Sequence, residues 1–182
     1  MVRQGEDDVK ASWIALVPAI GLLALMQGCA GPLFVKTIHL TSEFDPNEVA
    51  YATQTGTATV KGSAFMRQRG GGVVTCAGED VSAIPIGRYA TERIMAIYGN
   101  TERGINTGLG FKFEPEDPRY MGSRRTTRCD AQGRFQFSLM PRGDYYLVTR
   151  VRWMVAGATE GGFLMQRVSV GAADNVEVIL AP

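Results

Sequence analysis

The chain has 182 residues, of which 45% are hydrophobic, and its formal net charge is +1 at pH 7. A hydrophobic fraction of this size supports a buried core and excludes a chain that is disordered throughout. The near balance of 19 basic and 18 acidic side chains argues against a dedicated nucleic-acid binder, which carries a strongly basic face.

The N-terminal segment has the features of an export signal. Residues 11–26 form an apolar stretch, and Arg3 and Lys10 precede it. A secretory signal combines a basic start, an apolar stretch of about 7–15 residues and small residues at the cleavage point. These 16 residues, interrupted by Pro18 and Gly21, are fewer than the roughly 20 that span a bilayer core. The segment therefore predicts a signal peptide rather than a permanent membrane span.

The apolar stretch runs into residues 22–29 (LLALMQGC), which resemble the lipobox of bacterial lipoproteins. The resemblance implies that residues 1–28 are a lipoprotein signal peptide, cleaved after Gly28, and that the Cys29 thiol carries lipid such as palmitate. Ala30 follows the cysteine where some lipoproteins have Asp, and in that family this implies sorting to the outer membrane. A plain cleavable signal or an uncleaved anchor, with Cys29 incidental, is the alternative.

Two other cysteines, Cys76 and Cys129, lie in the remainder of the chain. In an oxidising periplasm such an even pair predicts a disulfide, and two buried thiols are the alternative. Zinc is not expected, because two cysteines and the lone His39 cannot complete the usual four-ligand site. The sequence thus predicts neither a metal site nor a cofactor.

Residues 29–50 are predicted to be a lipidated N-terminus and tether. Gly31-Pro32 and Asp45-Pro46-Asn47 interrupt regular structure in this segment. Residues 33–40 contain a β-branched and aromatic run, so an edge strand is left open there.

Residues 51–182 are predicted to form one all-β domain. Phe135 and Phe137 alternate with polar residues, and Tyr145, Leu147 and Val151 share one side of a long strand whose other side is expected to face water. Further strands are expected within residues 57–65, 81–86, 163–170 and 176–180, with turns rich in Gly, Asn and Asp between them. About seven short strands at this spacing are typical of a β-sandwich.

One stretch has helical character instead. Thr91 is the predicted N-cap, and Gly99 the C-terminal stop, of a short helix at residues 91–98. The following segment, residues 101–122, is rich in Gly, Pro and charge and is predicted to be mostly loop. Long irregular segments in compact domains often carry function.

Residues 129–147 carry a further pattern, formed by Gly133, Phe135, Phe137, Gly143, Tyr145 and Leu147. It resembles the D-x-x-G-x-F-x-F-x-x-L-x-x-G-x-Y-x-L motif of carboxypeptidase regulatory-like domains, and residues 59–65 and 176–180 resemble the opening and closing strands of that family. The resemblance implies a seven-stranded transthyretin-like (prealbumin-like) β-sandwich, here with one short inserted helix. It also implies a non-catalytic accessory, binding or folding module.

Candidate catalytic side chains are few. His39 is the one histidine, so a serine or cysteine nucleophile would have a single possible base, located in the predicted tether. Glu114, Glu116 and Asp117 could gather around calcium or serve an enzyme, although the prolines among them favour an acidic turn. Glu79-Asp80 is interpreted as a turn rather than as a general acid and base.

Arginines form the most suggestive polar groups. Guanidinium groups pair well with phosphate and carboxylate, so an anionic surface polymer or a lipid headgroup is a candidate partner. A solvated face that discourages edge-to-edge pairing of strands is the alternative. The groups are Arg67 and Arg69, then Arg119, Arg124, Arg125 and Arg128, and finally Arg150 with Arg152.

The sequence as a whole predicts a non-catalytic envelope lipoprotein, anchored in the outer membrane by lipid, that acts as a binding or scaffold module. An envelope protein or an anionic surface polymer is its expected partner, and nucleic acid is not. One alternative is a structural subunit of a secretion or surface assembly, which would co-purify with a partner at a fixed ratio. The other is an envelope enzyme that uses the carboxylates of residues 101–122.

We expect the protein extracted from membranes to have the mass of a chain that begins at Cys29 and carries acyl groups. Multiple acyl chains are needed for durable anchoring, since one chain binds a membrane only marginally. Intact-mass spectrometry after alkylation without reductant checks this, and a disulfide would leave Cys76 and Cys129 unmodified. An unlipidated mass with alkylated cysteines would contradict both predictions.

Overall fold

The computed structural model describes residues 35–108 and 110–182. This part of the chain is all-β, as predicted, and it has two short α-helices where one was expected. The signal peptide and Cys29 lie outside the described residues. No helix within the described residues is long and apolar enough to cross a membrane. The elements are β1 (Val35–His39), β2 (Ala58–Arg67), β3 (Val73–Thr75), β4 (Asp80–Pro85), α1 (Arg88–Tyr98), β5 (Arg103–Asn106), β6 (Gly110–Glu114), α2 (Pro118–Gly122), β7 (Arg125–Arg128), β8 (Arg134–Met140), β9 (Gly143–Val155), β10 (Ala158–Val170) and β11 (Asn175–Leu180).

Two sheets face each other as a β-sandwich. The larger has the order β5-β10-β9-β4-β7, and every neighbouring pair is antiparallel. The smaller is built on β2, which pairs in parallel with β11 on one side. On its other side, β2 pairs antiparallel with β8 along its first half and with β3 at its end.

The main core fills the space between the two sheets. Tyr145, Leu147 and Val151 of β9 are buried there, which confirms the predicted alternation along this strand. Phe135 of β8 and Val60 of β2 meet them from the smaller sheet. Successive strand residues point to opposite faces, so this core takes every second residue of each strand.

A second core lies on the opposite face of the larger sheet, and it corrects the expectation that this face is wet. Tyr146 of β9 and Met165 of β10 are buried there beneath Ile94 of α1. The larger sheet is therefore covered on both faces. Residues 145–148 are all large and apolar or aromatic. The side chains on each face of the strand therefore need another layer of the protein to pack against.

The described part of the predicted tether, residues 35–50, is folded. β1 pairs in parallel with β6, and Leu40, Phe44 and Val49 are buried in the second core. Residues 35–50 are therefore part of the folded unit. These three apolar residues are widely spaced and separated by turn-forming residues, so they show neither the two-residue period of a strand nor the 3.6-residue period of a helix. Their burial was therefore not apparent from the sequence pattern.

Two other local predictions are corrected. α1 begins at Arg88 with Gly87 as its N-cap, so Thr91 lies inside the helix, whereas Gly99 ends it in the left-handed conformation (φ 65°) as expected. Glu48 caps the helix from another segment, because its Oε2 accepts a bond of 2.8 Å from the Arg88 backbone N–H. Residues 101–122 are not mostly loop, since they contain β5, β6 and α2.

The predicted disulfide between Cys76 and Cys129 is confirmed. The Cys76 backbone N–H donates to Ala64 of β2, and the Cys129 N–H donates to the carbonyl of Glu79, which directly precedes β4. Because β2 and β4 belong to different sheets, the bond fastens the two layers at one edge of the sandwich.

We expect replacement of both cysteines by Ser to lower the free energy of unfolding by about 4 kcal/mol, because the bond closes a loop with a sequence separation of 53 residues. Urea unfolding without reductant checks this. Reduced wild type is the matched control and should unfold like the Cys76→Ser/Cys129→Ser variant. Equal stability of the oxidised wild type and the variant would contradict the prediction.

Candidate functional site

A groove of about 930 Å³ on the outer face of the smaller sheet is the candidate binding site. Its walls come from β2, β8 and β11, and the turn between β7 and β8 forms one rim. The side chains that line it are mostly polar or charged because this face is opposite the main core. They include Lys61, Ser63, Arg128, Asp130, Arg134, Gln136 and Glu177.

Strand register sets these side chains in two rows across the sheet. Lys61 lies between Gln136 of β8 and Glu177 of β11, and in the next row Ser63 lies between Arg134 and Ile179. Directly opposed residues on neighbouring strands have Cβ atoms about 4.5–5.5 Å apart. The groove therefore presents hydrogen-bond donors and acceptors at short, regular intervals, with a cation in each row.

The groove floor is set by packing beneath Gly62. A Cβ at this position would come within 2.6 Å of the Phe135 ring and 2.7 Å of a Val178 methyl group. Both of those side chains are buried in the main core. A larger residue at position 62 would displace them. The shape of the groove floor therefore depends on the packing of the core beneath it.

The rim is ordered by Asp130. Its Oδ1 accepts bonds from the backbone N–H groups of Gln132 (2.9 Å) and Arg134 (2.8 Å), which shapes the turn that leads into β8.

Arg128 pairs with Asp80 at 3.2 Å, but both side chains are largely exposed, so this pair is weak. Within the described residues, Lys61 and Arg134 make no ion pair. Cationic groups in the groove are thus available to a ligand.

A second groove, of about 960 Å³, lies between α1 and the N-terminal residues 38–48. Ile38, Ile86 and Met95 give it an apolar character. Glu92 at its edge accepts bonds of 2.8 Å from the backbone N–H groups of Thr41 and Ser42. These bonds hold the pKa of Glu92 at about 2, below its usual value. The carboxylate ties β1's C-terminal extension to α1 and serves the fold.

The carboxylates proposed from sequence as catalytic or calcium-binding do not converge. Glu114 lies 2.5 Å from Lys112 and 3.7 Å from His39, Glu116 pairs with Arg93, and Asp117 caps α2. Lys112 and Arg119 respectively lower the pKa values of Glu114 and Asp117 through hydrogen bonds and charge. No cluster of three or more metal-ligating side chains occurs in residues 35–108 and 110–182.

Sequence reasoning missed Arg93, which is buried at the centre of the second core. Its guanidinium lies 3.9 Å from the ring centroid of Phe113 and 4.6 Å from that of Tyr120, and it pairs with Glu116 at 3.2 Å. Burial raises the pKa of Tyr120 to about 12, so its phenol is neutral at physiological pH. Phe113, Glu116 and Tyr120 all lie within residues 101–122, which were predicted to be mostly loop, so no sequence signal pointed to this cluster.

The predicted arginine groups are divided among separate tasks. Arg125 donates to the backbone carbonyls of Ala52, Gln54 and Leu139, and Arg124 donates to Ser82. Arg119 pairs with Asp117, and both Arg150 and Arg152 pair with Glu79. Of the four arginines at 119–128, only Arg128 lines the groove of the smaller sheet.

Comparison with solved structures finds a similar fold in a protein of Pseudomonas aeruginosa described as a "putative carbohydrate binding protein". The TM-score is 0.64 and the sequence identity 24%, over 78% of this chain and 99% of that chain. The likeness establishes a shared fold. Neither a protein-family model nor a curated protein matches the sequence.

We expect acid to destabilise the protein partly through Glu92. Because its folded-state pKa lies below the ordinary value of 4.5, its contribution to stability is complete above that pH and is lost as the pH falls toward 2. Glu92→Gln should therefore lower the melting temperature at pH 7 but show a smaller further drop at pH 3. Circular dichroism melts check this, with exposed Glu43→Gln as control. An equal fall in melting temperature between pH 7 and pH 3 for wild type and Glu92→Gln would contradict the assignment.

Proposed function

We propose that this protein is a non-catalytic, lipid-anchored module of the bacterial envelope that binds anionic polysaccharide in the groove of the smaller sheet. The observation that carries the proposal is the double row of polar side chains across β8, β2 and β11, with Lys61 and Arg134 lacking an ion-pair partner in the described residues. Uronate carboxylates and sugar hydroxyls are the chemistry that such rows suit.

The fold likeness supports the choice of carbohydrate as the ligand class, because the similar protein is described as carbohydrate binding. The charges of the groove support the choice of an anionic polymer: Lys61, Arg128 and Arg134 outnumber Asp130 and Glu177. Asp130 is moreover already engaged by backbone N–H groups. The ring of Phe135 is buried beneath the floor, so hydrogen bonds and charge, rather than stacking on an aromatic ring, would hold the sugar.

The cellular location and the detailed topology of the fold are part of the same proposal. The lipobox resemblance at residues 22–29 supports a lipid on Cys29, an outer-membrane location and cleavage of residues 1–28. For the fold, we propose that the sandwich is transthyretin-like and that β2, β4 and β7 to β11 are its seven strands. The motif-bearing strands β8 and β9 are consecutive in the chain, as they are in carboxypeptidase regulatory-like domains. The remaining elements would be additions to that core.

Titration calorimetry of the mature protein in detergent with oligogalacturonate tests the ligand. Lys61→Ala and Arg134→Ala should each weaken binding roughly 10-fold, since a hydrogen bond to a charged group contributes about 1.5–3 kcal/mol and each 1.4 kcal/mol is tenfold. Arg142→Ala is the matched control, because Arg142 is exposed but lies outside the groove. Affinity should also fall with added salt.

Two results would contradict the proposed ligand. One is binding of oligogalacturonate that is equal in wild type and in both groove variants. The other is equal affinity for a neutral malto-oligosaccharide of the same length, which would show that the cations do not select the ligand. Absence of any heat with oligogalacturonate up to about 1 mM, a concentration corresponding to roughly −4.1 kcal/mol, would reject this polymer class.

A further inference from the structure

The β9-β10 hairpin projects beyond the rest of the larger sheet. β4 pairs with β9 only as far as Thr149, and β5 pairs with β10 only from Phe163 onward. Between these points the two strands pair only with each other, and they join at the turn Ala156-Gly157. Residues 150–162 are therefore a two-stranded ribbon at one end of the molecule.

The ribbon carries apolar side chains in positions exposed to solvent. Met154 is 64% exposed and Val155 is 49% exposed, while Phe163 at the base is also exposed. Trp153 is only half-buried, although it packs against the edge of the main core. Three large apolar residues near the tip, with Phe163 at the base, exceed the scattered single exposures that are ordinary on a protein surface.

A second hairpin, between β2 and β3, lies at the same end. The start of β2 pairs with the end of β8, Ala58 with Met140, and β9 begins three residues later, so β2 and β9 start at the same end of the sandwich. β3 packs against β9. This second hairpin adds exposed Val73 and two exposed cations, Arg67 and Arg69.

The described chain also enters at this end. β5 runs toward the ribbon and ends at Asn106, opposite Phe163, and β6 begins four residues later at Gly110. Val35, the first described residue, pairs with Gly110. The entry point of the chain is therefore close to the base of the ribbon.

Chain length then limits how far this end can lie from a lipid on Cys29. Six peptide units connect Cys29 to Val35. At 3.3–3.6 Å for each extended residue they span at most about 22 Å. A lipid on Cys29 thus holds the two hairpins close to the bilayer surface, an argument that rests on the lipid anchor of the proposed function.

We propose that the two hairpin tips form a membrane-contact surface that binds the headgroup region of an anionic bilayer. Tryptophan and other amphipathic side chains favour the interface between water and hydrocarbon, and cations near the surface are attracted to anionic lipid. Arg67, Arg69, Arg150 and Arg152 supply the cations at this end. Glu79, which pairs with the last two, and Glu160 are the facing carboxylates.

The mature chain offers an intrinsic probe, because the other tryptophan, Trp13, lies in the predicted signal peptide. The lipidated protein is reconstituted into vesicles with about 30 mol% phosphatidylglycerol, an anionic lipid, and with lipids brominated near the headgroup. Bromine should quench Trp153 fluorescence in wild type. In Met154→Ser/Val155→Ser the quenching should fall at least twofold. The exposed Leu139→Ser serves as control, since Leu139 lies at the end of β8, near the start of β2, and should quench like wild type.

Intact mass of the same preparation distinguishes the two proposals. An acylated chain in which Trp153 is not quenched would overturn the membrane contact and leave the lipid anchor standing. Equal quenching in wild type and Met154→Ser/Val155→Ser, with unchanged near-ultraviolet circular dichroism, would also overturn it. A mature chain without acyl groups would overturn the anchor, and with it the orientation argued from the length of the linker.

Discussion

The larger sheet is buried on both faces, and the rest of the architecture depends on this constraint. Tyr145 and Tyr146 are consecutive in β9, yet one is buried in the main core and the other in the second core. Burying a large apolar side chain contributes about 1.5–3 kcal/mol, so neither face can be left open without a substantial loss of stability. The smaller sheet covers one face. α1, β6 and residues 40–49 cover the other.

The two coverings have different means of attachment. The smaller sheet is fastened by the disulfide between Cys76 and Cys129 as well as by the apolar core. The helical side is held by charged groups as well as by apolar contacts. Arg93 lies among aromatic rings, Glu48 accepts a hydrogen bond at the start of α1, and Glu92 of α1 accepts hydrogen bonds from the N-terminal segment. A buried guanidinium requires compensation, and here aromatic faces together with Glu116 supply it. Within the described residues, the cations that make no ion pair include Lys61 and Arg134 on the outer face of the smaller sheet and Arg67 and Arg69 on the β2-β3 hairpin.

Prediction from the sequence succeeded where a signal was local. The alternation along β8 and β9, the helix stop at Gly99 and the cysteine pair all depend on residues whose spacing or chemistry has one dominant structural meaning. It failed where burial came from distant partners. β1 pairs with β6 across more than 70 residues of sequence, and neither strand is long enough to show a clear period by itself. For the candidate site, Arg128 belonged to a predicted arginine group, whereas Lys61, Arg134 and Gln136 were not singled out because solvent-facing strand residues carry no distinctive pattern.

The sequence by itself determined the all-β class, the larger part of the main core and the covalent link, because alternation, turn residues and cysteine pairing are properties of short stretches of chain. Tertiary structure alone decided which outer faces remained open. Tyr146 and Arg150 both lie on the strand side predicted to be wet, but α1 covers Tyr146, whereas Arg150 is the first residue of the projecting ribbon. Whether a polar strand residue reaches solvent, a partner charge or a groove depends on which other element packs above it. That choice is made by the whole fold and not by neighbours in sequence.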